Sequence, residues 1–210
     1  MSETPSLDSI RIRLAVPGDN IAITEAHRQS SATAYVNEPL MPAEVLKAHL
    51  YGPDFEKRKH EEWRIAAEEQ TPTQRLIVAE TMSSIARQED QEPESRIIGF
   101  GRMIVGPDLS FVQIPEDTNY LEALYVEDAW QGLGAGTMVL NGLLEALDPE
   151  GKRSTCLMVT AWAKAVKFYQ EMGFHVVDWN IPQQPQIQGY ELTQVPMERS
   201  PAPPNAILAG

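Results

Sequence analysis

A chain of 210 residues, 42% hydrophobic and 22% charged, is long enough to bury one full core and has the composition of an ordinary globular domain. Its formal net charge of −13 argues against a nucleic-acid surface, which needs a basic face, and no apolar run approaches the roughly 20 residues of a membrane span. With one cysteine, Cys156, no internal disulfide is available, and His27, His49, His60 and His175 lack metal-ligand spacing, so no metal is expected. The first residues lack the basic and apolar regions of a secretory signal, and a cytoplasmic, small-molecule role is the expectation.

Ile10–Leu14 alternates apolar and polar residues as a half-buried strand does. Pro17-Gly18-Asp19-Asn20 breaks it, and Asp19 or Asn20 is placed to cap a helix through about His27. Pro42-Ala43-Glu44 starts a second helix running to Tyr51, and Gly52-Pro53-Asp54 starts a third, capped by Asp54 and running to about Glu69. Strands follow at Arg75–Glu80 and Arg96–Val105, with the polar stretch Arg87–Ser95 read as a long hairpin loop. Tyr120–Val126 and Cys156–Thr160 are further strands. Helices are expected over Thr137–Leu147 and Ala161–Met172, the second ended by Gly173-Phe174 as a left-handed terminator with its apolar companion. Phe174–Trp179 and Tyr190–Met197 close the fold as strands around a Pro/Gln-rich loop. Residues 1–9 read as an N-terminal extension, 10–198 as one domain and 199–210 as a flexible tail. Hairpin-linked strands come first and crossover helices later, so the class is α/β with a mixed sheet.

The most informative stretch is Gln131-Gly132-Leu133-Gly134-Ala135-Gly136, between a strand and a helix. A glycine-dense turn at a helix start leaves backbone N–H groups free to hold an anion, and glycines let a phosphate approach closely. A tight turn without ligand is the plainer reading of these glycines alone. A second motif follows at Ala165-Val166-Lys167-Phe168-Tyr169-Gln170-Glu171-Met172-Gly173-Phe174.

Together the two segments resemble the GNAT superfamily of acetyl-CoA-dependent N-acetyltransferases. The phosphate turn of that family reads Arg or Gln, two residues, Gly, one residue, then Gly or Ala, and Gln131, Gly134 and Gly136 fill it. Leu121–Val126 is similar to the strand before that turn, and Ala165–Phe174 to the last-helix signature. The resemblance implies a single domain with a mixed, mostly antiparallel sheet flanked by helices, and parallel strands that splay apart at the acyl-CoA site. It implies acetyl-CoA as cosubstrate, bound by the turn that Gln131 and Gly132 open, with the amides around Leu133, Gly134, Ala135, Gly136 and Thr137 on the pyrophosphate. Backbone groups of Leu124, Tyr125 and Val126 would pair with the pantetheine arm, and an N–H near Val126 would polarise the thioester carbonyl. Lys164 and Lys167 are candidate charges near the coenzyme, or simply the wet face of a helix. The family's Asn three residues before the Ala of the last helix is Trp162 here.

Tyr169 shares a helical face with Trp162, Ala165, Val166 and Met172, so it should point inward; by residue type alone it is a core tyrosine. By resemblance it sits beside the thioester sulfur and protonates the leaving thiolate. Glu122 is the candidate general base for the acceptor amine, or a residue on the sheet's rim. Glu127 and Asp128 read as solvated residues at the helix entry. Cys156 reads as a buried, inert thiol. The implied activity is transfer of acetyl from acetyl-CoA to a primary amine, on a small molecule or a peptide or lysine, by direct attack in a ternary complex. Acceptor choice is assigned to the loops Ser30–Leu40 and Pro182–Gln188. A homodimer through C-terminal strands accords with the family. A non-catalytic acetyl-CoA-binding sensor or scaffold of the same fold is the alternative. A Rossmann dinucleotide fold fits less well, because Gly132-x-Gly134-x-Gly136 departs from its glycine spacing.

Overall fold

The architecture is that of a computed structural model, which describes residues 9–82, 95–109, 112–179, 181 and 184–201. The hairpin loop read at 87–95, except Ser95, nearly all of the N-terminal extension and the tail beyond 201 lie outside the described residues. The strands are β1 (Ile10–Leu14), β2 (Gln74–Met82), β3 (Ser95–Val105), β4 (Asp108–Leu109), β5 (Val112–Gln113), β6 (Asn119–Val126), β7 (Thr155–Thr160), β8 (His175–Val176), β9 (Gln186–Ile187), β10 (Tyr190–Glu191) and β11 (Gln194–Arg199). The helices are α1 (Asn20–Ala34), α2 (Ala43–Leu50), α3 (Pro53–Glu68), α4 (Ala135–Leu147) and α5 (Ala165–Glu171).

Seven strands form one sheet in the order β1-β2-β3-β6-β7-β11-β8, while β4-β5 and β9-β10 make small hairpins. Every neighbour in the large sheet is antiparallel except β6 and β7. Alternation on β2 divides the core between the faces. Ile77 and Ala79 pack with Val139, Leu140 and Leu143 of α4 and with Tyr169 of α5, whereas Leu76 and Val78 pack with Ile23 of α1 and Trp63 of α3. A third cluster joins α2 to the β9-β10 region through Leu46, Leu50, Ile187 and Leu192. No helix among the described residues is long and apolar enough to cross a membrane.

Five expectations need correction. Helix α1 runs on past His27 to Ala34, so the first half of the segment read as an acceptor loop is helical. Its polar residues are accommodated by back-bonding: Thr24 Oγ1 donates to the Asn20 carbonyl at 2.8 Å and Ser30 Oγ to Ala26 at 2.7 Å. Asp19 does not cap α1 with its side chain. It accepts from the Val16 N–H at 2.8 Å and from Arg13 at 2.6 Å, closing the turn after β1. Gly52 occupies the cap position of α3, and Asp54 lies in the first turn beside Pro53, complementing the helix dipole. The last helix is also shorter than read, beginning at Ala165; Trp162 precedes it, and its indole N–H donates to the Tyr35 carbonyl at 3.1 Å. The expected closing strands are reduced to β8 on one side and split into β10 and β11 on the other, with the Leu192 N–H turning to the Pro185 carbonyl between them.

Candidate active site

Strands β6 and β7 pair only through Asn119–Leu121 and Thr155–Leu157. Beyond that point β6 bulges: Arg102 stands opposite Ala123 and Met103 opposite Leu121, leaving Glu122 as the extra residue. The bulge turns β6 away from β7 and opens a gap along Leu124–Val126. Hydrogen-bond phase shows which groups face it. The Glu127 N–H donates to the Ile98 carbonyl at 2.9 Å, which makes Gly99–Val126 a pair whose own peptide groups point away from each other. By alternation Gly101–Leu124 is the same, so Leu124 and Val126 aim their N–H and C=O groups at the gap. Tyr125 spends its own on Phe100, and of the three residues expected along the pantetheine it offers no free peptide group.

At the end of β6 the chain enters the glycine turn. Gln131 Nε2 donates to the Val126 carbonyl at 2.8 Å and to Asp128 Oδ1 at 3.0 Å, so this side chain builds the turn. Gly132 has φ 74° and Gly134 φ 91°, left-handed conformations that glycine adopts without strain. Gly134 is the cap residue of α4, with no side-chain capping bond. The first-turn amides of Ala135, Gly136 and Thr137 have no intrahelical acceptor, and the first helical bond is Met138 N–H to the Gly134 carbonyl. Uncapped amides beside a strand with outward peptide groups fit an extended ligand with a diphosphate at one end. Leu133 is partly exposed at the turn's crest. Lys164 is exposed at the start of α5, and the exposed Lys167 pairs with Glu171 at 3.7 Å.

Tyr169 is buried on the α4/α5 face, its ring edge-on to Phe168 at 5.2 Å and Phe174 at 5.6 Å. Its hydroxyl makes no hydrogen bond to the described residues. Burial raises its pKa above the ordinary phenol value, with a smaller contribution from Tyr35, so it keeps its proton.

Glu122 is exposed and ion-paired with Arg102 at 2.7 Å. Arg102 is the cross-strand neighbour of Ala123 and lies two residues from Phe100, so the pair brings the Glu122 carboxylate onto the opposite face from Tyr169. On that face sit residues the sequence reading did not single out. The Tyr125 hydroxyl lies 2.8 Å from that of Tyr35, and its ring centroid lies 4.3 Å from that of His27. Burial above all, then nearby Lys59 and Arg58, lowers the His27 pKa to about 3 and keeps the imidazole neutral. The spacing of His27, Ser31 and Tyr35 would have pointed to one helical face had α1 been read to its full length. Tyr35 and Val36 pack with Trp162 and Ile187, so the two segments assigned to acceptor choice do meet in one cluster.

Glu127 corrects another expectation. It is buried rather than solvated, held by Arg96 at 2.5 and 2.7 Å, because it closes the β3–β6 ladder beside Ile98. Exposed Asp128 accepts from Thr33 Oγ1 at 2.9 Å as well as from Gln131, tying α1 to the turn. Cys156 is buried, and burial first, then Glu198, pushes its thiol up to about 12.

The family model for the acetyltransferase (GNAT) domain matches residues 51–199, more than half of the chain. The chain belongs to the GNAT acetyltransferase family, a membership that supports acetyl transfer as its general activity. Its fold is similar to that of the PaiA N-acetyltransferase of Thermoplasma acidophilum in complex with coenzyme A, with a TM-score of 0.61 and 18% identity over 91% of this chain and 99% of that one. A GCN5-related N-acetyltransferase from Rhodopseudomonas palustris superposes with a TM-score of 0.60 at 15% identity, covering 95% of this chain and 99% of the other. An acetyltransferase from Thermus thermophilus gives 0.54 at 20% identity, over 92% and 97% of the two chains. No curated protein sequence matches the chain.

Proposed function

We propose that the protein transfers acetyl from acetyl-CoA to a primary amine by direct attack in a ternary complex. The observation that carries this reading is the gap between β6 and β7, flanked by Tyr169 on one face and by Glu122 and Tyr125 on the other. Bound acetyl-CoA supplies an activated thioester. The first-turn amides of α4 hold its diphosphate, and the outward groups of Leu124 and the Val126 N–H hold the arm as an added strand. The Val126 N–H also polarises the thioester carbonyl. Glu122, at the origin of the gap, takes the proton that the amine must lose, directly or through water. Tyr169 donates an O–H hydrogen bond to the sulfur as the C–S bond breaks and the N–C bond forms, so CoA departs as a hydrogen-bonded thiolate.

A cytoplasmic setting belongs to this reading and is supported by a lone, buried cysteine. For a homodimer the C-terminal strands are the proposed contact, since β8 pairs with β11 only at Met197 and Glu198 and, among the described residues, no strand covers the rest of that edge.

The test is thiol release from acetyl-CoA against a panel of amines, with calorimetric titration of CoA. We expect amine-dependent release, lowered about 10²- to 10⁴-fold in Glu122→Gln as for loss of a general base. Full activity in that variant removes Glu122 from the mechanism. Tight CoA binding with no amine-dependent release identifies a sensor, and no binding at millimolar CoA overturns the site.

A further inference from the structure

On the α1/α3 face of the gap, several polar groups gather that the chemistry above leaves without a task. His27, Ser31 and Tyr35 recur at i, i+4 and i+8 along and just beyond α1 and share one side of it. Tyr125 meets them, ring against His27 and hydroxyl against Tyr35. A bond between two hydroxyls uses one hydrogen and one lone pair, so the pair keeps one free O–H hydrogen and further lone pairs. Neither hydroxyl has a second partner among the described residues. His27 Nδ1 and Ser31 Oγ are fully buried and have no hydrogen-bond partner among the described residues. Buried polar atoms are rarely left so, and here two lie on the helical face that meets Tyr125.

The backbone places this group at the reacting end of the site. Tyr125 stands between Leu124 and Val126, the two residues whose peptide groups open onto the gap. Tyr35 is fixed from the other side, because its carbonyl receives the indole N–H of Trp162, two residues beyond the end of β7. The pair therefore links the two strands that part. Ionisation of Tyr35 bears on Tyr169, and that of Tyr169 on Tyr125, so the three phenols share one neighbourhood although they reach it from opposite faces.

We infer that the Tyr35–Tyr125 hydroxyl pair is the seat of the acceptor nitrogen. Its oxygens accept the N–H bonds of an uncharged primary amine, which leaves the nitrogen lone pair directed at the thioester carbon. The N–H proton lost on attack goes to Glu122, and the pair returns to its starting state. This rests on the proposed acetyl transfer to an amine and adds to it the residues that hold the acceptor.

The experiment measures steady-state thiol release for the wild-type chain, Tyr35→Phe and Tyr125→Phe with spermidine, phenethylamine and lysine amide as probes, alongside the CoA dissociation constant of each protein. Phenylalanine keeps both rings in place. The expected result is an amine KM raised at least tenfold in either variant, with CoA affinity within twofold of wild type. The double variant should be little worse than a single one, because each removes the same pair. Amine KM unchanged in both variants of an active enzyme overturns the inference and leaves the transfer reading standing. Parallel loss of CoA affinity makes the pair structural and overturns it too. A wild type that binds CoA but releases thiol with none of the probes defeats the transfer reading, and the inference with it.

Discussion

Replacing Tyr169 by phenylalanine removes one oxygen atom and leaves the ring against Phe168 and Phe174. That oxygen has no hydrogen-bond partner among the described residues, so the substitution should change folded stability by less than about 0.5 kcal/mol. Its effect on turnover is set by what the phenol can give the departing sulfur. Burial holds the Tyr169 pKa above the ordinary phenol value of about 10, whereas a thiol lies near 8.5. Full proton transfer to sulfur therefore runs uphill, and the contribution is that of a hydrogen bond to a developing charge, about 1.5–3 kcal/mol. That corresponds to a fall in kcat of about 10- to 150-fold in Tyr169→Phe. Saturating thiol-release assays, CoA titration and thermal unfolding together check it, and CoA affinity should be unchanged. The wild-type rate should also show no loss from Tyr169 deprotonation as pH rises through 10. A kcat within threefold of wild type, or a melting temperature many degrees lower, refutes the reasoning.

At Gly134, whose φ is 91°, alanine adds about 1–2 kcal/mol of strain. For a chain of this size the melting temperature should fall about 2–4 °C per kcal/mol, with weaker CoA binding as the turn's amides reorient. Gly18→Ala, with open space around the added carbon, should change neither; equal effects in the two variants refute a special role for the turn. His27 is depressed from about 6.5 in the unfolded chain to about 3 in the fold. The unfolded state binds the proton first as pH falls, so this residue's contribution is present above pH 6.5 and lost toward pH 3, a change on the order of 5 kcal/mol. His27→Phe should flatten the dependence of unfolding free energy on pH in that window, and an unchanged slope shows that the imidazole is already charged in the fold.

The proposed donor half of the site is legible in the sequence because its signals are local. Gln131 to Gly136 announces a turn and a helix start within six residues, and Tyr169 lies on a short apolar face. The proposed acceptor half depends on contacts that no window contains. Tyr35 and Tyr125 are 90 residues apart, and Trp162 reaches back to Tyr35 across 127. The run Gln29-Ser30-Ser31-Ala32-Thr33 has weak helix preference and continues α1 only because tertiary packing holds it. The bulge at Glu122 was equally hidden. Strict alternation places Glu122 with Leu124 and Val126, but the extra residue breaks the period and sends its carboxylate to the other side. Glu127 reads as polar and exposed by type, and only the position of Arg96 on the adjoining strand makes its burial tolerable.

The large sheet is stitched across its middle by three parallel residue pairs, fastened at one end where the Asn119 side chain reaches Asp148 and Thr155. Above those stitches it is an open seam, with β1-β2-β3-β6 on one bank and β7-β11-β8 on the other. Under the proposed function a donor lying in the seam would supply the missing rungs, so the molecule would become a continuous sheet only while carrying its cargo. Amide hydrogens of Leu124 and Val126 should then exchange slowly with the donor bound and quickly without it, whereas that of Tyr125 stays slow throughout.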